Sequence, residues 1–528
     1  MSNISRRSLL RGLLAGGALA GASSVLPRSA AASGPLSITP TFGGPFKILE
    51  IYLDGGADPW MHFYQTAWGP YTTWINNTGS TVGLNHITPT TWSTIFQTAA
   101  GGPGPHPSWV PTAPTGAGNS IVFGYDVAGH AVKWGPALKP LFVNGLQSFT
   151  RMIMVGHNFF PHEGAIPLAI TGTGLGRTIA CSLGAPINRV RPSGAAPVSF
   201  VIPIRPSGIS GSTMASVAAT GFHGAQNTPV IIPVGASTSI ASRLNRDVAT
   251  GSTVTRSAGD PLRTWYNNEY RGMLYRGGRV RSRGYDAYEG ALTTLEGFAG
   301  VRTRITGINF NPTSNDVYGN STATAIKAAF QLLTPGAGAR HVTVVDSDWD
   351  THNNGIGGLD ATSYAVYNTR KVFTIAHAIA DAYASGVFNP ATTMIYIHSE
   401  FGRFHEGTNG TQHGPHAYPV LVMGGPVNSG WFPSSALVGA TVDFTVPTPP
   451  PMDDPNAPYL DTTLDAYSVP MTYGITDVRA AVALAAGIDP WHTDMYVESN
   501  DWIGDQINAA GGATSASLPV LASNILGA

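Results

Sequence analysis

Carboxylates and imidazoles recur in short clusters along this chain. Asp54 and Asp58 stand together, then His157 and His162, then Asp348, Asp350 and His352, then Glu400, and finally His413 and His416. Carboxylate oxygens and neutral imidazole nitrogens are the ligands of divalent ions such as zinc, manganese or calcium. One such residue means little: an Asp after a strand is more often a turn or cap residue, and a lone His is usually a core or surface side chain. The recurrence points further, because the same residue types follow one apolar run after another.

Those runs define the elements that must position the clusters. Residues 46–53, 152–156, 340–345, 392–397 and 419–422 read as strands. Helical spacing marks the segment from Glu163, then 262–298, 322–333, 364–384 and 477–486. Helices alternating with apolar strands predict an α/β fold, a mainly parallel sheet covered by helices on both faces. In open sheets of this kind ligands bind beyond the carboxyl ends of the strands, where Asp54/Asp58, His157/His162, Asp350/His352 and Glu400 all fall. One such domain is expected over 45–505, with Gly/Pro-rich insertions near 66–135 and 185–260 and a tail at 506–528.

The chain has 29 Lys and Arg against 30 Asp and Glu. Residues 1–32 hold four arginines and no acid, so the remainder carries 25 basic against 30 acidic residues, a net charge of −5. That excludes a basic nucleic-acid footprint. Charged residues are only 11% and hydrophobic ones 43%, which predicts a large core. The single cysteine, Cys181, permits no internal disulfide and reads as a buried small hydrophobe. There is no haem-attachment motif, and the lone Gly172/Gly174 pair follows no clear strand, so dinucleotide binding is not indicated.

The chain opens with Ser5-Arg6-Arg7-Ser8-Leu9-Leu10-Arg11, a mildly apolar stretch over 13–25, and small residues at Ala30, Ala31 and Ala32. This is the pattern of a twin-arginine signal peptide with a small-residue cleavage site. It predicts engagement with the twin-arginine export machinery and work in the periplasm or outside the cell. No later segment is apolar enough to predict a membrane span. Because that route carries folded proteins, often with a cofactor, an oxidoreductase is a minor alternative on the export signal alone.

Several motifs carry a resemblance to a known family. Leu53-Asp54-Gly55-Gly56-Ala57-Asp58, Trp349-Asp350-Thr351-His352 and His398-Ser399-Glu400-Phe401-Gly402-Arg403 resemble three motifs of an exported bacterial family known as domain of unknown function 1501. Pro415-His416-Ala417-Tyr418-Pro419 approximates its fourth motif. Residues 171–177 and the late segments 476–479 and 487–490 are also similar to stretches of that family.

The family in turn resembles the alkaline phosphatase and sulfatase superfamily, which implies a doubly covered parallel sheet and a two-metal site. Carried over, Asp58 would be the metal ligand after the first strand, with Asp54 as its rival. Asp350 and His352 would be ligands, with Asp348 a second choice, and His416 would be the fourth-motif ligand. Glu400 and Arg403 match the acid and the arginine of the third motif, and His162 falls beside them as a catalytic candidate. The implied chemistry is metal-assisted hydrolysis of a small phosphate or related ester, with Arg403 gripping the anion. Two departures stand against it. Pro415 replaces the family's fourth-motif Asp, leaving His413 as the alternative ligand. Pro161 falls where the family has the nucleophilic Ser, leaving Thr171 or Thr173 as stand-ins. Cys181 lacks the sulfatase Cys-x-Pro-x-Arg context, which argues against a type I sulfatase. The competing expectation is a non-catalytic binding or structural protein with a degenerate site.

Overall fold

The computed structural model describes residues 35–56, 63–65, 109, 121–125, 131–134, 136–155, 157, 161–172, 181–190, 199–204, 217–222, 227–232, 321–335, 338–347, 349–350, 361–406, 410–414, 418–427, 430–432, 474–492 and 525–527. The segment expected to be an export signal, the helices expected at 262–298 and the tail expected from 506 lie outside these residues, apart from 525–527.

Eight strands form the main sheet, in the order β13-β5-β12-β9-β1-β8-β6-β7. They are β1 (Lys47–Leu53), β5 (Thr150–Val155), β6 (Ser199–Ile204), β7 (Val230–Ile231), β8 (His341–Asp346), β9 (Thr393–Ser399), β12 (Tyr418–Gly424) and β13 (Gly430–Phe432). Neighbours pair in parallel except β12, which runs antiparallel to both β5 and β9. Two smaller sheets comprise β2 (Phe63–Gln65), β3 (Ile121–Tyr125) and β4 (Ala131–Trp134), and the hairpin β10 (Gly402–Glu406) with β11 (Gly410–Gly414).

The central strands are continuous apolar runs because both their faces are covered. Leu49, Ile51 and Leu53 pack on one face against α4 (Ser321–Leu333), α5 (Ala361–Ala384) and the short α1 (Lys139–Val143). Ile48 and Tyr52 pack on the other, against α2 (His162–Thr171), α3 (Gly184–Arg189) and α6 (Ile475–Ala485). The fold is therefore the expected α/β arrangement, a mainly parallel sheet between two helical layers. The range expected to be an insertion, 185–260, contributes β6 and β7 to the main sheet.

Glu50 carries a charged group into the second face. It is buried in β1 and accepts hydrogen bonds from His341 in β8 (3.1 Å), Thr343 (2.8 Å) and His398 in β9 (2.9 Å). Burial alone would raise its pKa, but the hydrogen bonds and charges of the two histidines prevail and hold the carboxyl well below the usual range. The knot ties three adjacent strands at one register, where Glu50 lies opposite Thr343 and Tyr396.

That register is what builds the site. Leu53, the last residue of β1, pairs with Asp346 at the end of β8 and with Ser399 at the end of β9. Asp54, Ser347 and Glu400, each the next residue in its chain segment, therefore emerge abreast at one edge of the sheet.

Candidate functional site at the carboxyl edge of the sheet

The turn after β1 is fastened to the segment after β8 by two backbone bonds, Asp54 N–H to Asp346 O (2.8 Å) and Trp349 N–H to Asp54 O (3.1 Å). Gly55 permits this contact. Its φ is +115°, and a Cβ there would lie 2.3 Å from the backbone nitrogen of Asp350. On the other side Trp349 is fully buried and donates its indole N–H to Asp346 Oδ2 (3.0 Å). Thr322 bonds the second oxygen of Asp346 (3.1 Å), and Lys371 lies over the Trp349 ring at 4.5 Å and 3.6 Å from Asp346. The tryptophan of the second motif is thus an anchor, and it delivers Asp350 to the sheet edge.

Glu400 is the centre of the described site. It is wholly buried, yet its carboxylate is reached by Tyr52 O–H (2.6 Å), the backbone N–H of Gly55 (2.8 Å) and His162 Nδ1 (3.0 Å), with the Ser399 hydroxyl at 3.4 Å. Burial works against its ionisation, but His162 and Tyr52 outweigh burial and hold its pKa below the ordinary value. Burial, with Glu400 and Asp54 nearby, pushes the Tyr52 phenol well up, so it remains a donor. His157 braces the same residue from behind, its Nε2 lying 2.5 Å from the Glu400 carbonyl. Burial pushes that imidazole down to about 4, so at neutral pH it is uncharged and donates Nε2–H to the carbonyl.

His162 is the first residue of α2, with Pro161 at the cap position. Its Nδ1 is taken by Glu400, and its Nε2 lies 3.7 Å from Asp350 Oδ2. The ring is walled by Phe401 (4.9 Å) and by the edge of His413 (4.6 Å). Asp54 lies alongside, 3% exposed, with Oδ2 lacking a hydrogen-bond partner among the described residues. Burial and the neighbouring Glu400 charge push its carboxyl up to about 7, against the opposing pull of His162, Ser347 and Lys371. A buried, unsatisfied carboxylate oxygen beside a second carboxylate fits a cation that would neutralise the pair.

The structure thus gathers Asp54, His162, Asp350, Glu400 and His413 from the expected site residues. Arg403 is placed by its backbone alone, in β10 opposite His413 of β11. Asp58, Asp348, His352 and His416 lie outside the described residues, as do Thr173 and Pro415. Among the described residues no group of three or more His, Cys, Asp or Glu side chains could hold a metal ion. Thr171 does not take the place of the missing serine: it ends α2, opposite His162, and its hydroxyl donates to Pro167 O (2.6 Å). Tyr52 and Gly55 were not singled out by residue type, although Tyr52 alternates with Asp54 on one face of the strand, which places its hydroxyl at this edge.

The late motif at 476–479 proves structural. Asp477 accepts the N–H of Gly474 (2.7 Å) and caps α6. Arg479, fully buried, donates to Ile170 O and to Cys181 O at 2.8 Å each, clamping the carboxyl end of α2. Cys181 is buried beside it, as expected. Among the described residues no helix is long and apolar enough to cross a membrane.

No curated protein matches the chain. Among solved structures it is similar to alkaline phosphatase from the Antarctic bacterium TAB5, at 10% identity over 74% of this chain and 93% of that one, with a TM-score of 0.29. A mutant of the same enzyme with Mg bound in its M3 site gives 10% identity, the same coverage and a TM-score of 0.28. At these TM-scores neither likeness carries weight for fold or activity. Residues 305–446, which include the second and third motifs but less than half of the chain, match the family described as Protein of unknown function (DUF1501). That segment holds the Trp349–His352 and His398–Arg403 motifs on which the resemblance to that family rests.

Proposed function

We propose that this protein is an exported, metal-dependent hydrolase of phosphate or related esters. The observation that carries the reading is the buried Asp54, its Oδ2 unsatisfied, set beside Glu400, His162 and Asp350 at the carboxyl edge of a mainly parallel sheet. Asp54 and Asp350 would hold a divalent ion such as zinc, manganese or calcium, with Asp58, Asp348, His352 and His413 or His416 completing the shell. Such an ion supplies Lewis acidity at the ester's phosphoryl oxygens. The chain's own part is to fix the groups around the reacting atoms. Tyr52 and Gly55 hold the Glu400 carboxylate, Glu400 orients the His162 ring, and Arg403 binds the anionic group. The signal at 5–11 would send the folded protein through the twin-arginine machinery to the periplasm or beyond.

Elemental analysis of the full chain purified from the periplasm tests the metal. At least one tightly held divalent ion per chain is expected, with most of it lost in Asp54→Asn. A second reading, a binding protein with a degenerate site, draws on Pro161, which caps α2 where the resemblance has a nucleophilic serine. A metal-free, stable wild-type protein would favour that second reading and sink the first.

A further inference from the structure

We propose that Glu50 is a positioning residue for the site: through His398 it sets the Tyr52 side chain, and with it the hydroxyl that reaches Glu400. The effect on turnover rests on the phosphate-ester reading above; the packing does not.

A carboxylate in the middle of a sheet is costly to bury. Glu50 is 2% exposed, in a strand already held by backbone ladders to β8 on one side and β9 on the other. Replacing such a group by an apolar one is often neutral or stabilising, so adhesion between strands does not account for it. Backbone ladders leave the orientation of side chains open, and that is what this carboxylate fixes. Its Oε2 accepts from Thr343 (2.8 Å) and from His341 Nε2 (3.1 Å) on the β8 side. Its Oε1 accepts from His398 Nε2 (2.9 Å) on the β9 side. An ionised carboxylate only accepts, so both Nε2 atoms carry a hydrogen. His398 Nδ1 has no hydrogen-bond partner among the described residues, which leaves the bond to Glu50 to orient the ring.

That ring leads to the site. Glu50 and Tyr52 share a face of β1, Tyr396 and His398 share the same face of β9, and Tyr52 lies opposite His398 in register. The His398 ring stacks on Tyr396, centroids 4.1 Å apart and planes 7° apart, and meets the Tyr52 ring edge-on at 5.1 Å and 68°. Tyr52 is fully buried, and its hydroxyl donates to Glu400 Oε2 at 2.6 Å. In a close-packed interior a turn of the His398 ring moves the surface on which Tyr52 rests. Thr343 belongs to the other arm of the same carboxylate, in the strand on the opposite side of β1.

Glu50→Gln separates the two arms. The amide keeps one accepting oxygen, and with that oxygen turned to Thr343 and His341 its NH2 faces the Nε2–H of His398, donor against donor. The test uses the full chain with tyrosine carbon-13 labelled at Cζ, the Tyr52 signal being assigned by its loss in Tyr52→Phe. Glu50→Gln should shift that signal, whereas Thr343→Val, which removes a hydrogen bond from the same carboxylate, should leave it in place. Turnover of a nitrophenyl phosphate ester by the metal-loaded chain should follow the signal. In Glu50→Gln kcat should fall about ten- to a hundredfold with KM within about twofold, and in Thr343→Val both should stay within about twofold. The double variant Glu50→Gln with Tyr52→Phe should lose no more than Tyr52→Phe alone, because both changes act through one hydroxyl. Losses that add, or a Tyr52 signal unmoved by Glu50→Gln, would overturn the proposal. Should Glu50→Gln fail to fold, His398→Phe carries the same expectations, since it keeps a ring against Tyr396 and Tyr52 but lacks the Nε2–H. If no phosphate ester is turned over by the wild-type chain, the hydrolase reading falls, and the Tyr52 signal alone decides whether Glu50 positions Tyr52.

Discussion

A carboxyl group buried next to a second carboxylate resists ionisation, and Asp54 should reveal this through the pH dependence of stability. Its folded pKa is raised to about 7 by burial and by the Glu400 charge, above the unfolded value of about 3.9. Between those two values the folded state keeps a proton that the unfolded chain gives up, so stability falls as pH rises through that window. In metal-free protein, Asp54→Asn removes this loss. Its melting temperature relative to wild type should therefore climb between pH 4 and pH 8, values chosen to lie about either side of that window. A difference that stays flat across the window would show that Asp54 is not buried as a strained acid. The identity of such residues was legible in the sequence, because Asp, His and Glu after apolar runs are few and recognisable. Their partners were less so: nothing in residue type alone says that Tyr52 O–H would be spent on Glu400, 348 positions away.

At the scale of elements, the site depends on the contact between the turn after β1 and the segment after β8. Gly55 makes it possible, so Gly55→Ala tests it. The new Cβ would meet backbone atoms of Trp349 and Asp350, which cannot rotate away as a flexible side chain could. The positive φ adds strain of its own. A loss of about 2 kcal/mol or more is expected in denaturant titration, together with weakened metal binding. Unchanged stability would mean that the two segments are not held as closely as described.

Most of the strands and helices around this contact could be read from apolar period and length. β1, β5, β8 and β9 fall within a residue or two of their expected positions, as do α2, α4 and α6. β6 was hidden for a physical reason. It carries Pro203, which lacks the N–H that a strand interior uses, and sits in a Gly/Pro-rich stretch. The reversed direction of β12 was equally invisible, since direction is decided by connections between strands and leaves no mark on composition.

For the whole molecule, the two buried clusters on either side of the sheet hold the strand ends in one register, and the Glu50 knot locks three of those strands together. The candidate site is then a property of the edge: Asp54, Ser347 and Glu400 emerge abreast because β1, β8 and β9 end abreast. The central claim is that this edge uses a divalent ion to hydrolyse a phosphate ester. It is tested most directly by the rate at which the purified full chain releases nitrophenol from nitrophenyl phosphate esters, measured before chelation, after chelation, and after return of zinc, manganese or calcium. The account predicts turnover that chelation abolishes and at least one returned ion restores. Turnover indifferent to chelation, or none above the uncatalysed rate with any ion, would contradict it.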